Sequence, residues 1–237
     1  MEAARLTVIP GAPDRTPPPP GPSRAPARVR FGRVAALVLS LGAALTLFVA
    51  ARLPYWEMTL KAPQYPQGLK LRVFLDRVEG DTDEVNTLNH YIGVPHIEDG
   101  ARLERAVGLP AIFLLAGALV LAPFAGRRKL ALLAIPAVGF PAGFVLDLLY
   151  WMHRLSSDLD PKAPIKLKPF HFVLAGDSKV GQFMSHTSFA TGFALAAGAA
   201  LLALTAIVLR EILACRACPQ RHDCGLVCQG ALPWRRS

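Results

Sequence analysis

Four cysteines crowd the C-terminal end of the 237-residue chain, at Cys215, Cys218, Cys224 and Cys228, and none precedes them. Their spacing is C-x2-C-x5-C-x3-C, with His222 inside it. Four thiolates at short spacing can close a tetrahedral zinc site, and thiolates also take Cu(I) or an iron–sulfur cluster. The bacterial ferredoxin run is excluded, because its third cysteine comes sooner and a proline follows its fourth. Zinc is the first expectation, with unliganded thiols as the alternative. On an oxidising side of a membrane the same four would read as two disulfides.

Histidine is the second chemical resource. His90, His96, His153 and His171 lie in two long polar segments, and His186 lies at the boundary of the second. Met58, Met152 and Met184 fall near the same boundaries. Imidazole and thioether ligands suit copper, but no pair has tight spacing such as H-x-x-x-H, so a copper site there is only speculative. A third candidate is Asp147, the lone acid within an apolar run and therefore costly in lipid. Ser185-His186 with Asp177 can be written as a hydrolase triad, but these are three common residues in a loop. No nucleotide-binding loop, nucleophile elbow, zincin helix or dinucleotide fingerprint occurs, so enzyme activity is not expected.

These residues hang on an apolar framework. The chain is 52% hydrophobic and 18% charged, against about 25% charged in a soluble protein. Four runs reach membrane length, giving spans at about 34–54, 107–126, 130–152 and 187–209. About 20 apolar residues cross the hydrocarbon core at about 1.5 Å each. Pro136 and Pro141 predict a kink near Gly139, beside Asp147. The first span, ending Val49-Ala50-Ala51, resembles a signal peptide, but 33 residues precede it, too many for an ordinary leader. It is expected to stay uncleaved.

The formal charge of +9 is unevenly spread. The two tails and the turn Arg127-Arg128-Lys129 hold 14 basic and 4 acidic residues, while the loops hold 12 of each. By the positive-inside rule both termini lie in the cytoplasm and the loops lie outside. Charge so partitioned is an orientation signal and excludes nucleic acid as a partner. The expected organisation is a proline-rich, disordered cytoplasmic tail at 1–33, a membrane domain at 34–209 with outer loops 55–106 and 153–186, and a cysteine-rich cytoplasmic tail at 210–237. The fold class is an all-α membrane protein: four transmembrane helices as two hairpins under a small mixed α/β cap built from the two outer loops.

A weak repeat supports the hairpins. Tyr55-Trp56 with Lys61-Ala62-Pro63 echoes Tyr150-Trp151 with Lys162-Ala163-Pro164. Each leads to an alternating, strand-like stretch, at 69–75 and at 165–174. In the first outer loop Asp81 and Glu84 are spaced like a capping box, and Val85, Leu88 and Ile92 fall on one helical face with Gly93 placed to end it. A helix is predicted over 82–92. Its other face gathers Asn86, Asn89 and His90, followed by Tyr91.

Lys61-Ala-Pro-Gln-Tyr-Pro-Gln-Gly-Leu69, followed by Gly80-Asp-Thr-Asp-Glu-Val-Asn-Thr-Leu-Asn-His-Tyr-Ile-Gly93, resembles a signature of small four-span bacterial membrane proteins encoded in atypical nitrous-oxide-reductase gene clusters. The resemblance covers roughly residues 54–97. It implies an accessory protein of the bacterial inner membrane and of denitrification, supporting a periplasmic respiratory metalloenzyme by docking, electron transfer or copper supply. It also marks Gln64, Tyr65, Asn86, Asn89, His90 and Tyr91 as the functional face. The alternative is a small transporter or metal-handling protein using Asp147 and the cysteine tail. The partners expected are the lipid bilayer, that metalloenzyme or other membrane subunits.

Overall fold

A computed structural model describes residues 27–125, 127–165, 173–180 and 182–217. Four long helices dominate: α1 (Ala27–Ala50), α3 (Arg102–Leu121), α4 (Arg127–Ser157) and α5 (Thr191–Ala217), with a short α2 (Thr82–Ile92) in the first loop. All four long helices are long and apolar enough to cross a membrane, over Phe31–Ala50, Arg102–Phe124, Lys129–Ser157 and Thr191–Leu213. The tail before residue 27, most of the strand-like stretch at 165–174, and Cys218, Cys224 and Cys228 lie outside the described residues.

The helix ends differ from the sequence expectation for identifiable reasons. The chain leaves α1 at Ala50, ahead of Pro54, which biases its predecessor away from helical angles. Helix α3 starts at Arg102, so Glu104 and Arg105 belong to it rather than to the loop. A count of uncharged residues misses this, because intrahelical hydrogen bonding does not stop at a charge. Residues 187–189 are strand, so α5 begins at Thr191. Helix α4 runs on as one element through Pro136 and Pro141 to Ser157.

The most extensive helix pairing is α1 on α5; α1 also packs on α3, and α4 packs on both α5 and α3. The α1 side of the main seam buries Ala36, Ser40, Ala43, Leu47 and Ala50. The α5 side buries Ala196, Ala199, Ala203, Ala206 and Arg210. Both series step by alternating threes and fours, the spacing of a continuous helix–helix stripe. Small side chains let two backbones approach closely where lipid offers no hydrophobic drive to pack. Large residues such as Val38, Leu45, Leu114 and Leu201 point outward. At the far end of α5 the Arg210 guanidinium donates to the carbonyls of Pro123 (3.4 Å) and Ala125 (3.0 Å), tying α5 to the α3–α4 turn.

The cap is a five-stranded antiparallel sheet in the order β3-β2-β1-β5-β4. Strands β1 (Trp56–Ala62), β2 (Tyr65–Val73) and β3 (Val78–Gly80) come from the first loop, and β4 (Gly176–Val180) and β5 (Phe183–Phe189) from the second. The two loops therefore meet at the middle of the sheet, where Trp56 pairs with Phe189 and Thr59 with His186. Trp56 is buried and its indole N–H donates to the Leu174 carbonyl at 2.7 Å. The expected equivalence of the two Tyr-Trp pairs does not hold: Trp56 opens a strand, whereas Trp151 lies within α4.

Helix α2 has the predicted bounds, and Gly93 closes it with φ of 79°. A Cβ there would sit 2.9 Å from the Asp160 carbonyl, so the position requires glycine on two counts. The capping box does not form. Asp81 makes no side-chain cap; its carboxylate instead accepts from the Lys70 backbone N–H at 2.8 Å, joining the start of α2 to β2.

Candidate functional site

Strand alternation divides the cap into two faces. Glu57, Thr59 and Lys61 on β1 register with Lys70 and Arg72 on β2 and with His186 on β5, forming the outward face. Trp56, Met58, Leu60, Leu71 and Ser185 point the other way, toward the helices. Between that inner face, α2, α3 and α4 lies a chamber of about 440 Å³, within the range of about 300–1,000 Å³ common for small-molecule sites. Its walls are chiefly apolar, with Leu88 and Ile92 from α2, Val107 and Ala111 from α3, and Phe144 and Leu148 from α4. Gly143 opens onto it: a Cβ built there meets nothing within 4 Å. Gly108 does the opposite, bringing α3 so close that a Cβ would stand 2.5 Å from the Leu75 carbonyl.

A few polar groups interrupt the apolar wall: Asn89, Glu104, Arg105, Asp147, Trp151 and Ser185. Arg105 is already engaged, donating to the backbone carbonyls of Gly100 (2.7 Å), Ala101 (3.4 Å) and Glu98. Its partners are carbonyls, so no carboxylate neutralises its charge among the described residues. Asp147 and Glu104 are half-buried and make no hydrogen bond or ion pair among the described residues. The Trp151 indole N–H is buried without a partner among the described residues. Asp147 stands 18 residues beyond Lys129 on α4, a rise of about 27 Å. That places the acids near the end of a hydrocarbon core of about 30 Å. The chamber thus joins an apolar volume to two carboxylates that make no ion pair among the described residues.

The candidates read from the sequence scatter over this frame. Asn89 lines the chamber. Asn86 is buried and fully occupied: its amide donates to Glu98 at 2.9 Å and its oxygen accepts from the Ile97 N–H at 3.0 Å, fastening α2 to the turn before α3. His90 and Tyr91 are exposed, with ring centroids 6.1 Å apart. Gln64 sits exposed at the β1–β2 turn, and Tyr65 packs against the small core of Leu69, Leu71 and Val85. The six therefore do not form one face. Met58 and Met152 line the chamber, while Met184 is exposed on the outward face.

His186 and Asp177 do pair, with Nδ1 and Oδ1 at 2.8 Å on the outward face. Ser185 points to the opposite face and is buried, so no Ser-His-Asp triad forms. Among the described residues no three His, Cys, Asp or Glu side chains gather as metal ligands. Cys215 falls in the last turn of α5, but its side chain lies outside the description. Glu104 and Trp151 escaped the sequence reading. Glu104 falls within the expected outer loop 55–106, and Trp151 stands only in the echoed Tyr-Trp pair. The signal for Glu104 was an amphipathic start to α3, whose apolar residues Leu103 and Val107 continue the run that follows. Compared with known proteins, the chain matches no family model and no curated protein.

Proposed function

We propose that the chain is a multi-pass accessory protein of a bacterial cytoplasmic membrane that holds an amphiphilic small molecule beneath its cap. The observation that carries this is the chamber, an apolar volume with unpaired polar groups at the membrane boundary. In this reading both termini are cytoplasmic and the cap is outside, as the basic tails and the balanced loops favour. The helices form two hairpins, α1 with α3 and α4 with α5, joined through the α1–α5 seam. The resemblance of the first cap loop supplies the partner, a periplasmic respiratory metalloenzyme. Docking is the form of support the cap fits best, because its outward face is polar and presents Lys61, Lys70, Arg72 and Lys179 to solvent.

A transport path through the bundle is less well supported. Asp147 opens onto the chamber, but the helix core around it is built from apolar residues such as Ala43, Leu47, Ile112, Ala137 and Ala203. Purified full-length protein, released from detergent in a native mass spectrometer, should retain a co-purifying amphiphile. Gly143→Phe should lose it by filling the open space. A wild-type protein that neither retains nor takes up any amphiphile would sink the proposal, as would unimpaired binding in Gly143→Phe.

A further inference from the structure

The chamber's charges select among amphiphiles. We propose that it takes a membrane lipid with a primary ammonium head, of the aminophospholipid class; this rests on the amphiphile reading above and names its ligand. Glu104 and Asp147 are two carboxylates facing one apolar space, and neither forms an ion pair among the described residues, since the nearby Arg105 is turned to backbone carbonyls. Unpaired acids in a poorly solvated site repel each other, and each attracts any cation that can reach it. A primary ammonium offers three N–H donors to carboxylate acceptors, where a quaternary ammonium offers none. The third charge, on Arg105, is held in place by backbone carbonyls and lacks an acidic partner among the described residues. It complements the phosphate that accompanies the ammonium in such a lipid.

The apolar walls account for the rest of the molecule. Phe144, Leu148 and Val107 take an acyl chain. Trp151 adds a buried N–H without a partner among the described residues, suited to an ester carbonyl of the lipid. The depth agrees as well, since Asp147 and Glu104 lie at the level where a lipid's own head sits. An anionic lipid would bring like charge against both acids, and a quaternary ammonium would bring charge without donors.

The test is a displacement titration on the full chain in a neutral detergent, using a fluorescent lipid probe. The competitors carry identical short acyl chains and are phosphatidylethanolamine, phosphatidylcholine, phosphatidylglycerol and diacylglycerol. Wild type should bind phosphatidylethanolamine about tenfold more tightly than phosphatidylglycerol, with the choline lipid between them, the scale expected of one charge-assisted contact. Glu104→Gln combined with Asp147→Asn should remove most of that preference, with an unchanged helical circular dichroism signal and a single gel-filtration peak reporting that the variant is folded. Asp147→Asn alone should show a smaller loss. Equal affinity of wild type for the ethanolamine and glycerol lipids overturns the inference, and so does a preference that survives in the double variant. If diacylglycerol binds in either case, the amphiphile reading stands. If no competitor displaces the probe, both fall.

Discussion

Asn86 shows how residue spacing can mislead. It shares a helical face with Asn89 and His90 by count, yet both of its amide groups are spent inside the protein, on Glu98 and Ile97. Asn86→Ala should cost about 1–3 kcal/mol, since it leaves a buried N–H unanswered. Thermal unfolding in detergent would measure the loss, and diacylglycerol binding should survive in the folded fraction. Tyr55 makes a contrasting case. Its ring is fully buried against Phe140 and Phe144, while its hydroxyl has no partner among the described residues. Burial raises the phenol above its ordinary value, so the folded chain favours the neutral form. That contribution is intact below the ordinary phenol value of about 10 and is lost as pH climbs past it. Tyr55→Phe should leave stability at pH 7 unchanged or slightly raised, and should flatten the decline above pH of about 10. A steeper alkaline decline in the variant than in wild type would contradict this.

At the scale of elements, the spans were legible because lipid demands long uncharged runs, and α2 because its closing Gly93 and its apolar stripe agree. The sheet was only half legible. Strand β1 reads Trp-Glu-Met-Thr-Leu-Lys-Ala, a clean period of two that is passed over when Tyr55-Trp56 is grouped with Lys61-Ala62-Pro63 as a repeat. Strand β5 carried no such signal. Two of its inward residues are Ser185 and Thr187, and the Thr187 hydroxyl is held by the carbonyls of Val173 (2.7 Å) and Gly176 (3.2 Å) instead of by apolar packing. The α1–α5 seam went unread, although small residues at steps of three and four carry it. Overpacking it should be felt: Ala203→Leu is expected to cost about 1–3 kcal/mol, read as a lower unfolding temperature. The outward-facing Leu201→Ala should change little in comparison. Gly108→Ala should also lower stability, because its new methyl would meet the Leu75 carbonyl.

For the whole molecule, the chamber was illegible because six separate segments build it, from Trp56 to Ser185. Asp147 announced itself as a lone acid in an apolar run, but its mate Glu104 is 43 residues away in the chain. Only the folded arrangement puts both on one wall. The orientation rests on charge and has its own test. With the four native cysteines replaced by serine, Lys61→Cys in the cap hairpin should react with a membrane-impermeant maleimide on intact spheroplasts. Protection until the membrane is broken would invert the topology.

The pairing of β1 with β5 also bears on how the protein is made. A ribosome delivers Trp56 well over a hundred residues before its partner Phe189, and the two long apolar helices between, α3 and α4, must be inserted while one edge of β1 waits unsatisfied. Such an edge invites wrong partners. The first hairpin on its own should therefore be prone to clump or to be degraded, and co-expression of the second half as a separate chain should rescue it, because the missing strand can arrive from another polypeptide. Completion of the cap thereby reports that α3 and α4 have been laid down between its two halves.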